Sequence, residues 1–335
     1  IFATGKSKGT KSTKSIPVRA DIVFGADGIK SKVREYVLNS NGKNITEQQP
    51  EYTGVTCLMG SSTTARPNRG ICFPSSITSK CHMCTYPTGP NETIFQIYFP
   101  TPIENPESWG ALSPERERLE CDDLAKRLEG DGWDEQFVKP LRQCIPGSIV
   151  RVGLRSRDPL QSWVVVVNKT PSSSSSSSSP SSSSPSVVAL LGDAAHPPVP
   201  YIGQGAMMAI EDAGTIAYLL EKVCLRTQDE DNTTSPTTQT QTEKQQLWNF
   251  TTSNIQKAMT IYEEIRIPRT RNVLGKSKTL GKTQQDRANN PMYNLFREWY
   301  IKFQVFLYGT LPIMKPGAMY DYTKDVDAVL QHYSK

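Results

Sequence analysis

No stretch of the 335 residues has the roughly 20 uninterrupted apolar residues that a bilayer-spanning helix needs. The longest candidate, Val305 to Met314, has Gly309 and Pro312 inside it, so no transmembrane segment is expected. Cysteine is sparse: the seven are an odd number without a dense pattern, and no charged and apolar leader opens the chain. These absences point to a reduced compartment, cytoplasmic by default, without disulfides. No internal repeat is visible, which excludes a solenoid or array. Acids are missing from the first twenty residues, where Lys6, Lys8, Lys11, Lys14 and Arg19 carry all of the formal net charge of +5. Only Phe2 accompanies that basic run as an aromatic, and no reading helix follows it. It therefore reads as a solvated hairpin tip, and nucleic acid is not an expected partner.

The length suggests about two domains, and an apolar fraction of 36 % is slightly low for a globular chain, as if disordered insertions interrupt an ordinary core. Two such insertions stand out: Pro171 to Ser186 is almost pure Ser with Pro, and Thr227 to Gln246 is rich in Thr, Gln and acids. Ala20 to Phe24 reads as a short buried strand, followed by a Gly25-Ala-Asp-Gly28 turn and a helix from about Lys30 to Leu38. From Tyr52 to about Val167 the pattern changes to short alternating runs, Gly54 to Met59, Cys81 to Tyr86 and Thr93 to Phe99 among them. These predict an antiparallel sheet with one interposed helix near Pro114 to Leu128. Trp163 to Val167 and Val187 to Leu191 are β-prone. They can stay neighbours across the Ser tract, because loop entropy grows only logarithmically with length. Gly205 to Leu225 and Leu247 to Arg271 have helical periods.

The most specific stretch is Leu191-Gly-Asp-Ala-Ala-His-Pro-Pro-Val-Pro-Tyr-Ile-Gly-Gln-Gly-Ala-Met-Met-Ala-Ile-Glu-Asp-Ala213. A buried strand ends in Gly192 and Asp193, a proline-stiffened crossing follows, and a helix starts near Gly203 and Gly205. A carboxylate at a strand terminus suits sugar hydroxyls. Gly203 and Gly205 remove side chains where a planar ligand would approach the backbone, and the helix start offers free N–H groups and a positive dipole end. A plain strand-to-helix connection explains a lone Gly-x-Gly but not the whole run.

This run resembles the second flavin-binding fingerprint of the group A flavoprotein monooxygenases, the salicylate and para-hydroxybenzoate hydroxylase family. Gly25-Ala-Asp-Gly-Ile-Lys-Ser-Lys-Val-Arg34 resembles that family's Asp-Gly motif, which serves both the flavin and the nicotinamide cofactor. Tyr262, Arg266, Pro268 and Arg269 resemble its Tyr-x3-Arg-x-Pro-Arg helix. The implied fold is α/β, a discontinuous FAD-binding domain of the para-hydroxybenzoate hydroxylase type with an inserted mixed β-sheet substrate domain and C-terminal helices. In this chain residues 1–48 would be the Asp-Gly part of the FAD domain, 49–167 the substrate domain and 168–186 the Ser-rich insert. Residues 187–275 would be the second FAD part and 276–335 the helical end.

The resemblance implies FAD binding through Asp27, Gly28, Arg34, Gly192, Asp193, Gly203, Gln204, Gly205 and Ala206. It makes Pro200 and His196 the catalytic candidates, His196 either near the flavin or as a ring that shapes the proline turn. The implied reaction is NAD(P)H- and O2-dependent hydroxylation of an aromatic or similar small molecule through a flavin C4a-hydroperoxide. The cofactor does the oxidative chemistry, so no nucleophilic triad is needed. A degenerate flavoprotein-like binding module, and a related epoxidase or urate-type hydroxylase, share these motifs and stay open. One family element is missing: no Gly-x-Gly-x-x-Gly pyrophosphate turn occurs, and only 26 residues precede Asp27. The sequence therefore reads as a fragment without its N-terminal βαβ unit, inactive alone.

Other chemistry-bearing residues have blander readings. Cys81-His-Met-Cys84 lies on a strand that turns residues 81 and 84 to opposite faces, so no metal site is expected there or elsewhere. His82 and His332 read as surface or packing residues. Glu211 and Asp212 read as capping or solvated residues of the helix after the glycines.

Overall fold

The computed structural model of the protein describes residues 18–42, 49–65, 72, 74, 80–102, 108–109, 112–167, 185–226, 247–285, 291–308 and 320–333. The basic run, most of the Ser tract and the Thr- and Gln-rich insert lie outside the described residues. Strand β1 (Ile22–Gly25) leads into helix α1 (Lys32–Ser40), whose N-terminus is capped by Ser31, with Oγ accepting from the Arg34 N–H at 2.8 Å. A Cβ on Gly25 would stand 2.7 Å from Val33, so α1 can lie this close to β1 only over a glycine.

β1 pairs in parallel with β8 (Ser186–Leu190), 165 residues on, in the register Ile22↔Val187 to Gly25↔Leu190. β8 is the middle strand of three, with β7 (Val164–Val167) antiparallel on its other side. Its continuous Val187 to Leu190 burial is what a strand covered on both faces requires. Helix α4 (Gly205–Cys224), the long α5 (Thr252–Gln285) and α7 (Tyr322–Tyr333) complete this unit. Its core contains Trp163, Ile216, Leu219, Met259, Tyr262 and Val326. α6 (Pro291–Tyr308) lies between α5 and α7 in sequence.

The second unit is a five-stranded antiparallel sheet of order β3-β4-β2-β6-β5. It is built from β2 (Glu51–Ser62), β3 (His82–Gly89), β4 (Glu92–Pro100), β5 (Ser108–Trp109) and β6 (Val150–Ser156). Period-two alternation splits its faces. Leu58, Met83, Phe95 and Ile97 pack under α2 (Pro114–Gly130) and α3 (Glu135–Arg142), against Leu124, Leu128, Val138 and Leu141. Cys57, Tyr98 and Leu154 face the other way.

Four boundaries differ from those read in the sequence. The sheet carries two helices, because a short Asp134-capped segment, Glu135–Arg142, forms α3. Leu160, Trp163 and β7 pack in the core around β8 rather than with the five-stranded sheet, so the change of packing falls before 160 and not at 167. Ser186 is already paired with Val167 and belongs to β8 rather than to the Ser tract. Leu247–Trp248 pairs with Leu225–Arg226 as a two-stranded ribbon (β10 with β9). The following helix therefore starts at Thr252 and runs to Gln285, through the expected boundary at 275.

Candidate functional site

The two motifs, far apart in sequence, meet at the C-terminal end of the β1–β8 pair, where Leu191 N–H donates to the Gly25 carbonyl at 3.0 Å. Arg34, fully buried, reaches from α1 and donates Nη1 to the carbonyls of Ala194 (3.0 Å) and Ala195 (2.7 Å). Burial, with Arg157 as a second cation, lowers its pKa, so the two carbonyls stabilise a charge its surroundings disfavour. Asp27 stays at the start of α1, accepting from Ser31 Oγ, the Lys32 N–H (2.7 Å) and the Val33 N–H (3.3 Å). Partial burial raises its pKa, but these bonds outweigh it and hold it below the usual value. Gly28 turns the chain at φ +77°.

The turn itself is the 3-10 segment Gly192–Ala194 and the loop that follows. Gly192 sits at φ +58°, and its N–H donates to Asp212 Oδ2 at 2.8 Å. Asp193 is exposed at the strand end, with surrounding protein raising its pKa and His196 opposing. His196 lies beneath the turn at 1 % exposure, its Nε2 2.6 Å from Asp212 Oδ2 and its ring 5.0 Å from that of Trp163. The geometry thus ties the ring to the foundation of the proline turn, with no open side for a substrate.

Glu211 and Asp212 are not solvated. Both are buried, because α5 brings two arginines to α4. Arg266 donates Nε to Asp212 Oδ1 (2.7 Å), Nη1 to Glu211 Oε2 (2.7 Å) and Nη2 to the Met208 carbonyl (3.2 Å). Arg269 holds Glu211 Oε1 at 3.0 Å, and the Tyr320 ring covers Arg269 at 4.3 Å. Burial alone would raise the Asp212 pKa. His196, Arg266 and the Gly192 N–H lower it on balance, so the carboxylate is ionised under the turn. Tyr262 donates to the Leu190 carbonyl at 3.0 Å. Three residues of the Tyr-x3-Arg-x-Pro-Arg helix therefore act on the strand end and the helix start.

Above this foundation the chain is open. A second 3-10 turn, Pro200–Ile202, leads to Gly203 at φ +64°, where a Cβ would meet nothing within 4 Å. α4 starts without a side-chain cap, so its first N–H groups are not claimed by a cap, and Gln204 Oε1 is buried without a partner among the described residues. Pro200 and Ala206 are exposed. Gly205 differs from expectation in one respect, since its Cβ would point at Pro198 Cγ, 3.3 Å away. An uncapped helix start, an orphaned amide oxygen and an exposed carboxylate at a strand end fit a ligand with hydroxyls and a negatively charged edge, as FAD has.

Tyr201, which sequence reasoning passed over, joins this site to the sheet. Its ring lies 5.6 Å from His82 and 6.0 Å from Tyr98, and His82 stacks on Tyr98 at 4.6 Å and 8°. Behind Tyr201, a Cβ on Gly281 of α5 would stand 2.4 Å from the ring. Tyr98 donates to Gln96 Oε1 at 2.9 Å. Burial raises the pKa of Tyr98 and Tyr201 and pushes Cys57 up to about 12, so the two phenols and the thiol are uncharged. The period-two alternation His82, Cys84 and Gln96, Tyr98 was its only signal. Cys81 lies fully buried and Cys84 half-buried, and no group of three metal-ligating side chains is found among the described residues.

No protein-family model matches the chain. A 6-hydroxynicotinate 3-monooxygenase of Bordetella bronchiseptica is 28 % identical over 211 residues, 62 % of this chain and 46 % of that protein. A salicylate hydroxylase of Pseudomonas putida is 28 % identical over 221 residues, 60 % of this chain and 43 % of that protein. The chain thus spans about half the length of these curated relatives. The crystal structure of Klebsiella pneumoniae HpxO with FAD and uric acid superposes with a TM-score of 0.58 at 20 % identity, covering 91 % of this chain and 62 % of the other. The fold is that of the para-hydroxybenzoate hydroxylase-like flavoprotein monooxygenases, and in sequence the chain is a relative of the FAD-dependent aromatic hydroxylases.

Proposed function

We propose that this chain is part of an FAD-dependent monooxygenase that hydroxylates a small aromatic molecule with NAD(P)H and O2. The observation that carries this reading is the Arg34 bridge, which fastens the Asp-Gly motif to the Gly192–Ala195 turn. When bound, FAD would supply the redox and oxygen-activating chemistry. Asp193 would accept hydrogen bonds from its sugar-chain hydroxyls. Gly203, Gln204, Gly205 and Ala206 would face its ring edge, with the α4 N–H groups stabilising negative charge there and Gln204 Oε1 placed to accept a hydrogen bond from an N–H donor. Asp27, Gly28 and Arg34 would support the cofactor indirectly, through the α1 start and the turn.

The substrate would lie against Tyr201, Tyr98 and His82. An aromatic wall of this kind orients a planar ring and excludes water. Pro200 and His196 would keep positioning roles, one at the mouth of the turn and one beneath it. The test is NADH and NADPH oxidation by the full-length protein with hydroxybenzoates, hydroxynicotinate and urate, read together with the product mass. One substrate that gains one oxygen atom is the expected result. NAD(P)H oxidation that yields only peroxide or water with every substrate would count against the reading.

A further inference from the structure

Two ring nitrogens beneath the Gly192–Ala195 turn have no hydrogen-bond partner among the described residues: Nε1 of Trp163, whose side chain is fully buried, and Nδ1 of His196. The two ring centres stand 5.0 Å apart at a tilt of 44°, and the Tyr262 ring lies 5.6 Å from that of Trp163. A polar group buried without a partner is costly, and nearly all such groups in folded proteins find one. These two are complementary. An indole N–H can only donate. Asp212, ionised and 2.6 Å from His196 Nε2, can only accept, so Nε2 carries the ring proton, and in the neutral ring Nδ1 is then an acceptor. Both rings are held from outside the pair. Glu263 of α5 accepts from the Ser162 hydroxyl at 2.9 Å and from the N–H groups of Trp163 and Val164, and the Trp163 carbonyl accepts from the Leu190 N–H at 3.0 Å. Asp212 holds the imidazole and also accepts from the Gly192 N–H at 2.8 Å.

We propose that Trp163 is a positioning residue of the turn, acting through one buried water that accepts from its Nε1–H and donates to His196 Nδ1. Two hydrogen bonds of about 2.9 Å meeting at a water oxygen set two nitrogens about 4.5–5 Å apart, and the ring centres stand at that spacing. Both nitrogens are closed off from the surface, so the occupant is small, and water both donates and accepts. The bridge makes one continuous path from the indole N–H through the water, His196 and Asp212 to the Gly192 N–H. It also fixes His196 in the Nε2–H tautomer, the form that can donate to Asp212 Oδ2 and accept from the water together. Hydrogen bonds in such a chain strengthen one another. Losing the indole donor therefore loosens the bond at the far end, at the glycine whose φ of +58° sets the turn. The inference concerns residues of the turn and its support, does not rest on the flavin reading, and stands if the function proposed above fails.

The experiment is NMR of the full chain carrying isotope-labelled histidine, tryptophan and glycine. Trp163→Phe keeps a ring and removes the donor, His196→Gln assigns the imidazole signals, and thermal melting checks that each variant folds. The expected result in the parent is a His196 ring protonated at Nε2 alone. Its Trp163 indole proton should show cross-relaxation with water, yet exchange roughly tenfold or more slowly than that of Trp248, which is 53 % exposed. In Trp163→Phe the Gly192 N–H should exchange about fivefold faster, the change that one net hydrogen bond makes. Three results would overturn the proposal: a proton on His196 Nδ1; an indole proton without a water signal, which would aim the N–H at a neighbouring ring face; or Gly192 exchange in folded Trp163→Phe that matches the parent, which would leave Trp163 a packing residue only. If either variant fails to fold, a high-resolution crystal structure of the parent decides, by showing or lacking an oxygen within hydrogen-bond range of both nitrogens.

Discussion

Beneath the Gly192–Ala195 turn lie Asp212, Glu211, Arg266 and His196, held by bonds of 2.6 to 2.8 Å, whereas the antiparallel sheet rests on Leu58, Phe95, Ile97, Leu124, Leu128 and Leu141. Both regions are buried, but they are specified differently. Apolar burial is non-directional and tolerates small shifts of α2 over the sheet. An ion cluster with every main partner in hydrogen-bond range fixes atoms to tenths of an ångström, and leaving one member unpaired is costly. The contrast suits their tasks. In the proposed function the turn would present Asp193 and the α4 start in one geometry, while the sheet would hold a wall of rings in place.

The largest expected effect comes from breaking each region once. Arg266→Met leaves Asp212 and Glu211 buried with reduced compensation and should cost about 3–5 kcal/mol. Phe95→Ala should cost about the same, 3–5 kcal/mol, through a cavity. Urea unfolding measures both. The regions part in what the folded fraction can do, since Arg266→Met should weaken flavin binding by the folded protein and Phe95→Ala should leave it nearly unchanged. If Arg266→Met proves neutral, the cluster is not what holds the turn.

Acid sharpens the same comparison. The Asp212 pKa is lowered in the fold, so its stabilisation is fully present above the ordinary carboxylate value near 4 and is lost as pH falls through the lower folded value. Asp27 has the same sign. Urea midpoints taken from neutral pH down to about 3 should fall steeply only below about pH 4, and Asp212→Asn should flatten that limb while lowering the plateau. An acid limb that is identical in the variant would remove Asp212 from the explanation.

How far the sequence could be read follows the same division. The fingerprint from Gly192 to Asp212 and the Asp-Gly turn are contiguous, and their local chemistry predicts strand, turn and helix start without any partner. The pairing of β7 with β8 was legible because the Ser tract offers nothing to bury. The burial of Glu211 and Asp212 was not, since their neutralising partners Arg266 and Arg269 lie more than fifty residues away on another helix. A pair of acids after a helix start looks solvated until those arginines are placed. Tyr201 was likewise hidden inside a motif whose glycines and prolines drew the argument. Its contacts with His82 and Tyr98 cross between units, and no local pattern encodes them.

A smaller effect is confined to the ligand. Asp193 is exposed and supports little of the fold, so Asp193→Ala should leave melting nearly unchanged. In the full-length protein the lost charged acceptor should weaken FAD binding by about ten- to a hundredfold, the equivalent of about 1.5–3 kcal/mol. Gly205→Val separates fold from ligand differently. Its side chain meets Pro198 first, so early melting is expected together with any flavin loss, and it cannot by itself place the ring edge. Isothermal titration with FAD, beside apo-protein melting, reads both variants. Normal affinity in Asp193→Ala would remove this carboxylate from the site.

The smallest effect is expected at the Ser-rich insert between β7 and β8. Val167 and Ser186 are already paired at the mouth of that loop, and the register Val164↔Ala189 to Val167↔Ser186 continues without a break. On the outer side, the Ser186 Oγ donates to the Ala20 carbonyl at 3.0 Å, and Thr252 Oγ1 donates to the Pro185 carbonyl at 3.1 Å. The strand start is therefore anchored by contacts that do not involve residues 168–184. Replacing those residues with a short Gly and Ser linker keeps every one of these bonds. It also shortens the closure, and each halving of loop length is worth only about 0.6 kcal/mol. The melting temperature should hold or rise slightly, and turnover of the full-length protein should not change. A clear loss of stability would mean that the tract packs on the sheet edge, and a loss of turnover alone would give it a docking role that its composition does not reveal.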